Sequence, residues 1–224
     1  MIMMQANRRP SAARSATGAV ARQKRGLPMH VREVDSVEGL AIIRRPGVNL
    51  TFWPRALPAE VVAYLPAMVS AGLTPVRCEA PHDAIEAELR TLLPPSPFRD
   101  WLAADAALLA RTLAQLTGTR RVVLRIEAIV GDACRLFHAD AVALRLVTTY
   151  EGRGTQWLSD ADVDISDHGG DVPEDRIYEM ATGTVGVFKG LRGVTGKHPL
   201  IHRSPPRRPG DPVRLFLAVD PATH

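Results

Sequence analysis

In the sequence RVVLRIEAIV, residues 121–130, the pattern of the chain changes from helical to extended. The spacing places Val122, Leu124, Ile126 and Ala128 on one face of an extended strand. Similar short apolar runs follow it, separated by Gly, Pro and Asp, at residues 142–150, 156–158, 185–188, 200–202 and 213–219. Short strands at this density predict a small sheet or barrel in the second half of the chain.

The segment before this stretch, residues 57–118, has apolar residues at helical spacing instead. Pro58 suits the first turn of a helix, Pro66 is expected to kink or shorten that helix, and Gly118 suits the end of the last one. The predicted helices run from Pro58 to about Val69, from Ala84 to Leu93 and from Phe98 to Leu116, and a short extended stretch at 40–53 precedes them.

Helices followed by many short strands predict an α+β fold. We expect a double-stranded β-helix of the jelly-roll or cupin-like type at about 120–220, with the N-terminal helices bracing one outer face. Residues 29–224 are long enough for a single domain with one sizeable core. The Asp- and Gly-rich segment 159–181 is predicted to be a surface excursion between strands.

The charge of the chain is concentrated in its first 28 residues. The formal net charge is +4, and residues 1–28 contain six basic residues and no acidic one, so the remainder is close to neutral. Nucleic acid is therefore not expected as a partner. This leader is predicted to be disordered or an upstream extension, with Met29 as an alternative start, and an organelle presequence is a third interpretation.

Charges and prolines interrupt every apolar run well before the length of a membrane helix, so no membrane segment is predicted. The two cysteines, Cys78 and Cys134, have no paired spacing and are expected to be reduced thiols inside a cell. These features predict a cytoplasmic protein.

The candidate metal ligands begin with FHAD, residues 137–140. Because His138 and Asp140 are two positions apart, an extended strand would point both side chains to one face. His202 ends a later apolar run, LIH, at residues 200–202. Two imidazoles and one carboxylate form the facial triad that leaves three coordination positions of iron(II) open, so we predict that these three residues bind a single Fe(II) ion.

Arg214 opens the last predicted strand, RLFLAV. A permanently charged guanidinium inside a barrel is unfavourable unless it meets an anion, and its planar fork suits a carboxylate. His-x-Asp, a distant His and then an Arg resemble, in their order, the 2-oxoglutarate-dependent iron(II) oxygenases. This resemblance implies that Arg214 holds the distal carboxylate of 2-oxoglutarate, although Phe216 stands where such oxygenases often have Ser or Thr.

A closer resemblance is to the DUF1826 family, over about residues 30–220. It is carried by FHAD at 137–140 and its surroundings from Cys134 to Leu158, by FKG at 188–190 and by HRSPP at 202–206 followed by Arg214 and Leu215. The resemblance implies a metal-binding barrel without an assigned substrate.

Three further residues are candidates for the cosubstrate pocket. Lys189 is an alternative counter-charge for 2-oxoglutarate, Arg145 is a candidate for lining the cavity, and Tyr150 is a candidate for its wall. Each also has a simpler interpretation, as a surface cation for Lys189 and Arg145 and as a packing residue for Tyr150. His198 competes with His202 as the third metal ligand, and Cys134 is a candidate ligand for a soft metal.

Three hypotheses about function follow. The leading one is an oxygenase that uses Fe(II) and 2-oxoglutarate to hydroxylate an unknown substrate. The second is a cupin-like protein that binds zinc or iron without turnover, in which case His198 or Cys134 would complete a tetrahedral site. The third is a barrel that has lost its metal. Hydrolase and nucleotide-binding motifs are missing from the sequence.

Overall fold

A computed structural model of the protein describes residues 26–70, 73, 75–131, 134–164 and 171–222. Three α-helices lie in the first half: α1 (Ala59–Ser70), α2 (Ile85–Leu92) and α3 (Arg99–Thr117). The strands are β1 (Val31–Glu33), β2 (Leu50–Trp53), β3 (Val76–Pro81), β4 (Arg121–Ile129), β5 (Leu144–Glu151), β6 (Gln156–Trp157), β7 (Tyr178–Glu179), β8 (Val185–Lys189), β9 (His202–Arg203) and β10 (Arg214–Pro221). Two 3-10 helices are Glu38–Arg44 and Glu174–Arg176.

Within these residues seven strands form one mixed sheet in the order β1-β2-β8-β5-β10-β4-β3. β1 and β2 are parallel, and the other neighbours are antiparallel. β10 lies near the middle, where it pairs with β4 on one side and β5 on the other. The residues of β10 are therefore fixed by hydrogen bonds on both edges of the strand.

A second, smaller sheet has the order β7-β6-β9. Its apolar side chains pack against one face of the large sheet, and the helices cover the other face. The cluster between the sheets includes Val147, Trp157, Met180, Phe188, Leu200 and Ala218. The cluster between the helices and the large sheet includes Leu102, Leu109, Leu124, Ile126, Leu146, Val187, Leu215 and Leu217. The fold is therefore α+β, with α1, α2 and α3 on one face of the large sheet.

Alternation along the strands decides which layer each side chain enters. In β10, Leu215, Leu217 and Val219 face the helices, whereas Phe216 and Ala218 face the small sheet. In β5 the same rule sends Leu146 to the helices and Val147 to the small sheet. Charged residues that share the second face therefore lie between the sheets, where the candidate site is found.

Several sequence predictions need correction. The segment 57–118 is not helical throughout, because residues 76–81 form β3, which pairs with β4 and extends the sheet. The stretch 40–53 is extended only at β2, since Leu40 and Ile43 are buried in a 3-10 helix. Their burial between helix and sheet explains the apolar pattern that resembled a strand.

The acidic segment 159–181 is only partly a surface excursion. Ser159, Asp162 and Val163 are buried, and the Ser159 hydroxyl donates a hydrogen bond to Asp162 Oδ2 at 2.5 Å. Residues 178–179 form β7. The first 25 residues of the basic leader and residues 165–170 of the acidic segment lie outside the described residues. In the described part of the chain, no helix has the length and hydrophobicity needed to cross a bilayer.

Candidate metal centre and anion pocket

His138 and His202 meet at an isolated antiparallel bridge between the β4–β5 connection and β9. The backbone N–H of each residue donates to the carbonyl of the other, at 3.0 and 2.9 Å. The two imidazole centroids are 4.6 Å apart. This pairing brings together two side chains that are far apart in sequence and points them to the same side.

Both imidazoles have a fixed tautomer. Nδ1 of His138 lies 2.9 Å from the carbonyl of Leu136, and Nδ1 of His202 lies 3.2 Å from the carbonyl of Leu200. A carbonyl oxygen only accepts hydrogen bonds, so Nδ1 carries the proton in each neutral ring. Nε2 of each ring is then left with a free lone pair, which is the arrangement required of a metal ligand.

Asp140 completes the cluster. Its Oδ1 is 3.7 Å from His138 Nε2, and its Oδ2 is 3.2 Å from His202 Nε2. One ligand atom from each of the three residues lies within 4.8 Å of the other two. Oδ2 is buried and has no hydrogen-bond partner. Two imidazole nitrogens and a carboxylate oxygen that lacks a hydrogen-bond partner form a donor set that suits a single divalent cation.

The carboxylate of Asp140 is held in its ionised form. Burial opposes the charge, but the interactions of the carboxylate with His202, and then with Arg145 and His138, outweigh this effect and lower the pKa of Asp140 below its usual value. Arg145 NH1 is 2.6 Å from Asp140 Oδ1. Burial opposes the charge of Arg145 as well, but Asp220 and Asp140 raise its pKa.

Arg214 is the buried cation of the site. Only 7% of it is exposed. Its NH1 donates to Ser204 Oγ at 2.8 Å, and its NH2 donates to Thr149 Oγ1 at 3.2 Å and Thr155 Oγ1 at 3.0 Å. Its Nε has no partner, and the guanidinium lies over the Phe216 ring, 4.4 Å from the centroid.

No carboxylate is paired with Arg214 among the described residues. Burial accordingly lowers the pKa of Arg214 to about 10. The hydroxyls of Ser204, Thr149 and Thr155 therefore surround a guanidinium that has no paired carboxylate in the part of the chain that the structure describes. A small anion would balance its charge.

One cavity of about 140 Å³ joins the two features. It lies on the side of the large sheet that faces the small sheet. His138, Asp140, His202, Arg145, Arg214, Thr155, Phe188, Ser204 and Cys134 are among the residues that line it. The three candidate metal ligands and the Arg214 guanidinium therefore line the same cavity.

Lys189 and Tyr150 lie away from this cavity. The Lys189 ammonium donates to the carbonyl of Arg45 at 3.1 Å and to Thr195 Oγ1 at 2.7 Å, so it is buried on the helix side of β8. The Tyr150 hydroxyl donates to Asp105 Oδ2 at 2.7 Å, on α3. Strand alternation explains both positions, because their neighbours Phe188 and Thr149 take the cavity side.

The two alternative ligands do not join the cluster. In the described chain, the group of close His, Cys, Asp and Glu ligand atoms contains His138, Asp140 and His202 only. Cys134 lines the cavity, is exposed and has a positive φ of 53°. His198 is half-buried, and its carbonyl accepts a hydrogen bond from Asn49. A closed four-ligand site, as structural zinc prefers, is not formed by these residues.

The residues that surround Arg214 and Arg145 were not among those predicted from the sequence. Thr149, Thr155 and Ser204 supply the hydroxyls, and Asp220 binds Arg145. Phe188 packs against the His202 ring with centroids 4.4 Å apart. Thr149 and Asp220 could have been found from strand parity with Arg145 and Arg214, whereas Thr155 and Ser204 come from loops and carry no such signal.

The family model described as "Protein of unknown function (DUF1826)" matches residues 34–220, and the chain belongs to this family. None of the curated proteins matches the sequence.

Solved structures of oxygenases are similar to this fold at a distance. A prolyl-4-hydroxylase from Pseudomonas putida has 13% identity and a TM-score of 0.46, covering 88% of this chain and 97% of that one. A full-length Neurospora crassa protein in complex with alpha-KG has 12% identity and a TM-score of 0.43, covering 82% and 78%. SnoN, a non-heme alpha ketoglutarate dependent epimerase from nogalamycin biosynthesis, has 16% identity and a TM-score of 0.41, covering 84% and 81%. Similarity at this level does not transfer a substrate.

Proposed function

We propose that the protein is an Fe(II)- and 2-oxoglutarate-dependent oxygenase that hydroxylates an organic substrate. The two packed sheets would be the two sides of a double-stranded β-helix. The observation that carries the proposal is a single cavity lined both by the His138, Asp140 and His202 donor set and by the unbalanced charge of Arg214.

The donor set fits iron(II). Each imidazole presents Nε2 because its Nδ1 is bound to a carbonyl, and Asp140 presents Oδ2, which has no hydrogen-bond partner. Two nitrogens and one oxygen on one side of an ion leave three positions for substrate-derived ligands. The ion would activate dioxygen while 2-oxoglutarate is oxidatively decarboxylated to succinate, with one oxygen atom entering succinate and the other the product.

Arg214 fits the far carboxylate of 2-oxoglutarate. The hydroxyls of Ser204, Thr149 and Thr155 hold the guanidinium in place, so its orientation is set before the acid binds. Phe216 occupies the position where similar oxygenases often have Ser or Thr. Here the Phe216 ring makes a cation–π contact with the Arg214 guanidinium. The hydroxyls of Ser204, Thr149 and Thr155 would take the place of the hydroxyl that is missing at position 216.

The remaining side chains restrict water and fix the ligands. Phe188 covers one face of the His202 ring, which limits the rotation of that imidazole. Arg145 neutralises Asp140 without occupying the ligand position. A small, largely protein-lined cavity then favours charge pairing between the acid and Arg214, because the local dielectric is low.

The test is an anaerobic titration of the iron(II)-loaded protein with 2-oxoglutarate. We expect a visible charge-transfer band that saturates with one equivalent of cosubstrate per iron. In the Arg214→Met variant the band should need a far higher 2-oxoglutarate concentration. A parent protein that binds iron(II) but shows no band at millimolar 2-oxoglutarate would contradict the proposed cosubstrate.

A further inference from the structure

We propose that Arg145 is a positioning residue for the metal-binding carboxylate, rather than a counter-charge for the cosubstrate. In this role it occupies Oδ1 of Asp140, so that Asp140 binds the ion through Oδ2 alone. The inference rests on the proposed metal site, and it goes beyond that site by assigning a coordination mode and the residues that enforce it.

The contact between the two residues is close and sheltered. Arg145 NH1 is 2.6 Å from Asp140 Oδ1, and the side chains of Arg145 and Asp140 are only 18% and 10% exposed. An ion pair this short and this well shielded from water holds a geometry that an exposed pair would not.

Asp220 in turn fixes the guanidinium. Arg145 Nε donates to Asp220 Oδ1 at 2.6 Å, and Arg145 NH2 donates to Asp220 Oδ2 at 2.8 Å. This bidentate pair uses one edge of the fork and leaves NH1 for Asp140. Turning Arg145 toward an anion in the cavity would break all three contacts, so Arg145 is not available to bind the cosubstrate.

The two oxygens of Asp140 consequently differ. Oδ1 is neutralised by Arg145, whereas Oδ2 is buried, has no hydrogen-bond partner and lies 3.2 Å from His202 Nε2. A buried carboxylate oxygen without a donor is unfavourable, and a metal ion at that point would satisfy it. Binding through one oxygen also keeps a third open position on a six-coordinate ion.

The experiment measures cobalt(II) as a probe for the iron site, by its dissociation constant and its visible absorption spectrum. The variants are Arg145→Gln, which removes the positive charge, and Arg145→Lys, which keeps the charge but lacks the planar guanidinium with its paired donors. The matched control is Arg153→Gln, because the Arg153 side chain is 19% exposed and forms a similar bidentate pair, with Glu179, but does not line the cavity.

We expect both Arg145 variants to bind cobalt at least tenfold more weakly than the parent and with an altered spectrum, as is typical for loss of a residue that orients a ligand. The control should keep the parent's affinity and spectrum. Parental affinity and spectrum in both Arg145 variants would overturn the inference, and so would full rescue by Arg145→Lys, since charge alone would then be sufficient.

Thermal unfolding of the metal-free proteins identifies a variant that does not fold. In that case the deciding variant is Asp220→Asn, which weakens the bidentate pair with the Arg145 guanidinium but keeps Arg145 itself. Weaker cobalt binding by this variant supports the inference, and unchanged binding overturns it. A parent that binds no cobalt would overturn the metal site and the inference together. A parent that binds cobalt but gives no 2-oxoglutarate band with iron would overturn only the oxygenase proposal.

Discussion

His138 and His202 exchange two backbone hydrogen bonds, at 3.0 and 2.9 Å, so the register between their chain segments fixes the spacing of the two imidazoles. The geometry depends on main-chain pairing and not on the side chains themselves. Replacing a ligand should therefore remove the metal while leaving the fold intact. We expect the site to be sensitive to displacement of the β4–β5 connection, which carries His138 and Asp140.

Gly190→Ala tests that sensitivity. A Cβ at Gly190 would lie 2.4 Å from the carbonyl oxygens of Asp140 and Val142, and backbone atoms cannot move aside easily. We expect a destabilisation of about 1–3 kcal/mol, as is usual for overpacking, together with weaker metal binding. Gly196→Ala, whose Cβ would be 3.5 Å from its nearest neighbour, is the control. Urea unfolding and a cobalt titration measure both effects, and equal behaviour of the two variants would contradict this prediction.

Arg214→Met should separate anion binding from folding. The buried guanidinium has no acidic partner among the described residues, so its loss should leave the free energy of unfolding without ligand nearly unchanged or higher. In the parent, 2-oxoglutarate at 100 times its dissociation constant should stabilise the fold by about 2.7 kcal/mol. Thermal unfolding with and without the acid measures the difference. An equal shift in the variant would show that the acid binds elsewhere.

Tyr150→Phe should change the response of the fold to alkaline pH. Burial, and then the nearby charge of Asp105, raise the pKa of Tyr150 well above its usual value of 10. A raised folded-state pKa means that the stabilising contribution is complete below about pH 10 and is lost as the pH rises further, through the folded-state pKa.

The measurement is the free energy of unfolding of the parent and Tyr150→Phe across pH 8 to about 11. The parent should lose stability more steeply above pH 10 than the variant does. Tyr178→Phe, which removes the hydroxyl of a half-buried tyrosine on β7, is the control. Parallel pH profiles for the parent and Tyr150→Phe would refute the prediction.

Cys134 offers a probe of the cavity. It is exposed and lines the cavity, whereas Cys78 is buried in the core, where burial raises the pKa of its thiol. Under native conditions an alkylating reagent should modify Cys134 and leave Cys78 intact. Mass spectrometry locates the modification, and 2-oxoglutarate with metal should slow it. Equal rates at both thiols would argue against the described burial.

The sequence predicted the strands and the proximity of His138, Asp140 and His202 better than it predicted the pocket. The alternation of Val122, Leu124 and Ile126 identified β4 and its buried face, and the structure agrees. The two-residue spacing of His138 and Asp140 placed them together because neighbouring ligands in one extended segment need no tertiary information. β3 was not predicted, because its sequence, VRCEAP, is short and lies between helices.

The residues that line the cavity were harder to predict, because a side chain reaches the cavity only from the strand face that the small sheet covers. Arg145 and Tyr150 are five positions apart on β5, so a regular strand places them on opposite faces, and only Arg145 reaches the cavity. Lys189 has the positive charge that a counter-charge for 2-oxoglutarate needs. Its side chain lies on the opposite face of β8 from Phe188, however, and therefore points away from the cavity. The hydroxyls of Thr155 and Ser204 come from loops, whose paths the sequence does not determine.

We propose that His138, Asp140 and His202 together hold one metal ion. The most direct test of this claim is the metal content of protein loaded anaerobically with iron(II) and freed of excess ion, measured for the parent, for His138→Ala, Asp140→Ala and His202→Ala, and for His198→Ala as a control. We predict one equivalent in the parent and the control and almost none in the three ligand variants. Iron retained equally by all five proteins, or by none of them, would contradict the claim.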